Sequence, residues 1–169
     1  MTTTGGSRTA GARVSTGQAI LTAWLLCGVL DITAACLQVW IQARRPPSVV
    51  LKGVASALWG RPAMEAGAGM AAIGLAMHFT VALTATLIFY ALSRRIAWLR
   101  TAPLLIVGPL YGLVVFAAMN YGTLPALSWL RSLYLGTPPR WPGPMGWPQV
   151  GIHLLCVGLP IVWGVRRAR

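Results

Sequence analysis

Carboxylates are almost missing from this chain. Asp31 and Glu65 are the only acidic residues among 169, against 14 lysines and arginines, and charged residues of all kinds make up 9% of the sequence. A soluble domain carries roughly 25%, so a water-exposed globular fold is excluded. With hydrophobic residues at 56%, the surface is suited to lipid. The net charge of +12 would fit nucleic acid, yet no long basic tract exists: the basic residues stand singly or in pairs at the ends of apolar runs. That is the pattern of headgroup anchors and of the loop charge that orients membrane proteins, and it argues against nucleic acid as a partner. Cysteine is sparse too. Cys27, Cys36 and Cys156 lie inside apolar runs with no C-x-x-C pair, so neither a disulfide framework nor a zinc site follows, and packing is their expected role. The signatures G-x-S-x-G, H-E-x-x-H, G-x-G-x-x-G and the P-loop are all absent. No enzyme class and no cofactor is indicated.

What the chain does have is long apolar runs. Residues 1–16, rich in Thr, Gly and Ser, are expected to be a disordered tail. The run 17–43 closes on Arg44, Arg45, Pro46 and Pro47. It is too long for the core of a secretory signal and carries Asp31 inside it, so a transmembrane helix is predicted. Further spans are predicted over 66–93, stopped by Arg94 and Arg95, over 102–124, and over 149–165, followed by Arg166 and Arg167. Residues 48–60 are apolar but short, with Ser48, Lys52 and Ser56 on one stripe; an interfacial helix is expected, a re-entrant segment being the alternative. The stretch 125–148 reads as a Pro/Trp-rich loop with a second short interfacial helix over 126–135 and with Trp141 and Trp147 as interface anchors. The expected fold is an all-α integral membrane bundle of four transmembrane helices with one or two short interfacial helices.

Small residues favour close helix contact in two places, Gly67–Ala71–Gly74 and Gly108–Gly112, the latter with Pro109 beside it. Four spans put both termini on one side. Eight arginines (8, 13, 94, 95, 100, 166, 167 and 169) then face six basic residues on the other (44, 45, 52, 61, 131 and 140). The bias is towards N-in, C-in.

Two ionisable residues fall at bilayer depth. Asp31 lies 12 residues before the end of the first span, and His78 lies 12 residues after the start of the second. Both are then roughly 18 Å from the same face. An acid and an imidazole at one depth on adjacent helices can pair, and each would otherwise be an unsatisfied group in hydrocarbon. Gln38, Asn120 and His153 form a second polar layer nearer that face, with Glu65 at the face itself. Together the six trace a polar path to the midplane. The competing explanation is structural: buried polar side chains in bundles hydrogen-bond across helices and fix their register. By the same arithmetic His78 and His153 differ by roughly 10 Å in depth. Neither a haem held by both nor a metal held with Asp31 is therefore expected.

The second half of the chain resembles the YagU-like four-span proteins of the bacterial inner membrane. The features run in order from His78, through Asn120 with Leu124-Pro125, to Thr137-Pro138-Pro139, Gly151-x-His153 and Arg166-Arg167. They cover about residues 66–167 and leave Asp31 unaccounted for. The resemblance implies a bacterial inner-membrane location and a four-span topology, and carries no chemistry. Two functions remain in view. One is proton or small-solute handling around Asp31 and His78, which with only four spans calls for a homo-oligomer. The other is an accessory or assembly subunit of a larger membrane complex, docked through its Gly-rich faces, with Asp31–His78 as a clamp.

Overall fold

The computed structural model describes residues 14–139 and 146–168, which are helical with no strand among them. Residues 1–13 of the expected tail, and Trp141, lie outside the described residues. Four helices are long and apolar enough to cross a membrane. They are α1 (Thr16–Ala43), α4 (Ala68–Arg95), a continuous helix Leu104–Leu135 and a last helix Trp147–Val165. The chain is a multi-pass, all-α integral membrane protein. Large side chains such as Ile41 and Leu105, which are 69% and 76% exposed, face outwards where only lipid could cover them.

Local signals explain the helix ends. Ser15 and Gln18 cap α1 reciprocally, Ser15 Oγ accepting from the Gln18 N–H and Gln18 Oε1 from the Ser15 N–H, which satisfies two otherwise orphan donors. At its other end Arg44 turns into the left-handed region, and Pro46 and Pro47 start α2 (Pro47–Trp59), proline being preset for a first helical turn. Short helices α3 (Pro62–Glu65) and α5 (Trp98–Thr101) link the spans.

The continuous helix does not stop near residue 124. It comprises α6 (Leu104–Ala117), a wider π-helical turn (Ala118–Thr123) and α7 (Leu124–Leu135). The expected interfacial helix over 126–135 is therefore the end of a span. The last helix repeats the device, as α8 (Trp147–Ile152), a π turn (His153–Gly158) and α9 (Leu159–Val165). In both, a Leu-Pro pair follows the wide turn at once, Leu124-Pro125 and Leu159-Pro160. Proline lacks an N–H and crowds the preceding turn of an α-helix. The widened turn accommodates that crowding, and the helix continues.

The core lies where α1 packs on α4 and α9, and α6 packs on the last helix. Phe89, Val107, Ile161 and Val162 are fully buried there. The closest approach is between glycines. A Cβ on Gly158 would overlap the Gly108 carbonyl oxygen and sit 2.7 Å from the Gly112 nitrogen, so the two backbones touch directly. The Gly108–Gly112 spacing thus serves an internal crossing.

Helix α2 is seated inside the bundle. A Cβ on Gly74 of α4 would overlap the Leu51 carbonyl of α2, and Ala55 is fully buried. Its far end is held by α7. Arg131, only 8% exposed, donates from Nη1 to the Ser56 carbonyl at 3.0 Å, and Tyr134 Oη donates to the Leu58 carbonyl. Gly60, at φ +66°, turns the chain beneath the Arg131 side chain. Hydrogen bonds from a charged donor contribute about 2 kcal/mol. Arg131→Ala is accordingly expected to lower unfolding stability in detergent by about that amount. A denaturation midpoint equal to wild type would show that α2 is held by its other contacts.

Candidate functional site

Asp31 and His78 meet. The carboxyl of Asp31, at the middle of α1, places Oδ2 3.8 Å from Nδ1 of His78 on α4, with both side chains largely buried at 14% and 12% exposure. The other ring nitrogen is committed: His78 Nε2 lies 2.9 Å from the Gly28 carbonyl oxygen. A carbonyl can only accept, so Nε2 carries the proton and Nδ1 is the nitrogen facing the acid. Two lone pairs aimed at each other repel. One proton, on either Nδ1 or Oδ2, turns that repulsion into a hydrogen bond or an ion pair. The pair is then neutral overall, and without the proton it carries one negative charge. Oδ1 of Asp31 is buried with no protein partner, which makes the unprotonated state costlier still.

The local sequence builds this geometry. Gly28 lets the Phe79 ring lie against α1, since a Cβ there would sit 2.8 Å from Phe79 Cδ1. Phe79 stands edge-on to both His78 and Trp24, with centroids 5.5 and 6.0 Å apart. Trp24 Nε1 donates to the Phe79 carbonyl at 2.8 Å. Helix α1 thus donates to the backbone of α4 through Trp24, and α4 donates to that of α1 through His78. This reciprocal pair fixes the depth at which Asp31 and His78 face each other.

A cavity of about 80 Å³ opens beside them, lined by Cys27, Asp31, His78, Met119, His153 and Val157, with Val54 of α2 on its wall. A water needs about 10–15 Å³ of such space, so more than one fits. His153 is buried and held at Nδ1, 3.0 Å from the Gln149 carbonyl, with its ring edge-on to Phe116 at 5.3 Å. By the same reasoning Nδ1 carries its proton and Nε2 keeps the lone pair. His153 therefore belongs with Asp31 and His78, although counting residues from the span ends separates them in depth. The counting assumes spans that begin in common planes. Helices of 28, 28, 32 and 19 residues cannot share both planes, and the offset appears as an error in depth.

The other polar candidates are elsewhere. Glu65 is exposed and pairs with Arg61 at 3.6 Å on α3. Asn120 donates to the Phe116 carbonyl one turn back at 2.9 Å and does not line the cavity. Gln38 contacts Gln42 at 3.5 Å and keeps a buried, unpartnered Oε1. Trp24, Phe79, Cys27 and Met119 were not picked out by charge. Cys27 had a legible signal, four residues before Asp31 on the same helix face. Among the described residues no three His, Cys, Asp or Glu side chains form a metal-binding group. No family model matches this chain, and no curated protein or solved structure matches it either.

Proposed function

We propose that this multi-pass membrane protein handles protons through the Asp31–His78 pair, with His153 as a second proton-accepting group on the same cavity. The observation that carries the reading is the facing of Nδ1 and Oδ2, which lets the pair gain or lose one proton with a change of charge at bilayer depth. Intramembrane ionisable residues in such settings mark ion and proton pathways. Histidine titrates in the physiological range, and a carboxylate beside it is coupled to that titration. Helix α2, with Val54 on the cavity wall, separates the pair from the nearer face, so passage in that direction requires α2 to shift. In this proposal the protein lies in a bacterial inner membrane with both termini inside, as the YagU-like resemblance and the arginine bias imply, and works as a homo-oligomer.

Proton flux into proteoliposomes, followed with an enclosed pH-sensitive dye, tests it. Asp31→Asn and His78→Gln are each expected to reduce flux by about tenfold or more, equivalent to about 1.4 kcal/mol of barrier. Glu65→Gln, which alters only the exposed pair, is expected to match wild type. Equal flux in all four proteins would sink the proposal. Absence of flux in wild type would favour the second reading, a non-catalytic subunit of a larger complex. The reciprocal Trp24–Phe79 and His78–Gly28 bonds speak for that reading, because they are what a clamp between α1 and α4 needs.

A further inference from the structure

At the end of the bundle where α4 finishes and α9 finishes, three arginines converge on one cavity of about 90 Å³. Arg94, Arg100 and Arg166 line it, above a floor that includes buried Ser93 and Val165. Neither side-chain carboxylate of the chain is near, since Asp31 faces His78 and Glu65 faces Arg61. Arg166 is anchored rather than neutralised: Nε and Nη2 donate to the Leu99 carbonyl at 2.9 and 2.6 Å, leaving Nη1 outside that bond. Burial pushes its guanidinium below the ordinary arginine value, the sign of a charge that has lost water without gaining a counter-ion. The α1 N-terminus also borders the cavity, through Thr16, and adds the positive end of a 28-residue helix dipole.

Such a constellation is made for a phosphate oxyanion. Guanidinium groups match its oxygens with paired N–H donors, and the like charges of three arginines repel until an anion sits among them. The position in the membrane indicates where the anion comes from. Trp98 and Trp163 are 50% and 40% exposed at this end, and the Arg167 guanidinium stacks 4.5 Å above the Trp163 ring. Tryptophan and arginine together mark headgroup level. We infer that the Arg94–Arg100–Arg166 cavity binds a phosphate group, that of an anionic phospholipid headgroup at the membrane surface. Basic pockets between transmembrane helices hold lipid headgroups in this way.

Purified full-length protein in nanodiscs of equal parts phosphatidylglycerol and phosphatidylcholine tests the site, with retained lipid counted by native mass spectrometry. Wild type is expected to retain phosphatidylglycerol preferentially. Arg94→Gln/Arg100→Gln is expected to lose about tenfold of that preference, equal to about 1.4 kcal/mol. Both side chains are exposed, so the fold should persist, and circular dichroism checks this. Arg44→Gln/Arg45→Gln removes the same charge at the opposite end and should behave as wild type. A parallel arm measures thermal unfolding in neutral detergent with inorganic phosphate. Phosphate stabilisation lost in the Arg94/Arg100 variant, without any lipid preference, would support the site and assign it a soluble anion. A preference that survives in that variant, or is lost equally in the Arg44/Arg45 control, overturns the proposal, as does absence of both lipid preference and phosphate stabilisation in wild type.

Discussion

Gly158→Ala is expected to destabilise the protein by at least about 3 kcal/mol, the upper end of what an added methyl does in a packed interior. The methyl would overlap the Gly108 carbonyl oxygen and press on the Gly112 nitrogen. Both are backbone atoms, and neither can swing aside as a flexible side chain would. α6 and the last helix must then separate along their contact. The harm spreads to the cavity, because a Cβ on Gly112 would overlap the His153 carbonyl, and His153 is carried by the same crossing. Gly151→Ala on the same helix is the matched comparison. Nothing lies within 4 Å of a Cβ there, and alanine improves helix propensity by up to about 1 kcal/mol. Denaturant titration of both variants in detergent measures the difference. Equal midpoints would mean that the two helices do not cross as described.

His78→Leu is expected to be worse than the loss of a hydrogen bond, at about 3–5 kcal/mol. Leucine fills a similar volume, so packing is not the main loss. The substitution leaves the Asp31 carboxylate in a largely buried site with Oδ1 already lacking a partner and with its one ion-pair neighbour among the described residues gone. Removing the stranded charge as well should restore part of the stability. The double variant Asp31→Asn/His78→Leu is expected to be more stable than His78→Leu alone by about 2 kcal/mol, a coupling within the range of contacting residues. A double-mutant cycle in detergent reads this directly. Strict additivity would show that the acid and the imidazole do not act as a unit, whatever their separation.

The four spans were legible because the bilayer imposes long apolar runs, and because paired arginines and prolines at Arg44–Pro47 and Arg94–Arg95 mark where the runs must end. The Asp31–His78 contact was legible for a related reason: few ionisable groups are tolerated at depth, and two at similar depth tend to be neighbours. The seat of α2 was not legible. Thirteen apolar residues suit a lipid surface and a protein groove equally well, and only the approach of the Leu51 carbonyl to Gly74 distinguishes them. His153 was misjudged because residue counting fixes distance along one helix, while tilt and unequal span lengths decide which heights coincide. The arginine cavity was also hidden. Arg94, Arg100 and Arg166 are span-end charges in the sequence, and only the folded chain brings them to one place.

The paired wide turns have a consequence for how this chain can change over time. A π turn holds one residue more than the α-helical turn it replaces. Losing any single residue from 118–123 would let the helix re-form as ordinary α-helix, but everything beyond would turn by about 100° and draw back by about 1.5 Å. Arg131 and Tyr134 would then point away from α2, although neither had been altered. The stretch therefore tolerates many changes of letter but not of length. Among any descendants of this sequence, insertions and deletions should avoid 118–123 and 153–158 even where substitutions accumulate, because the number of residues there sets the helical phase of all that follows.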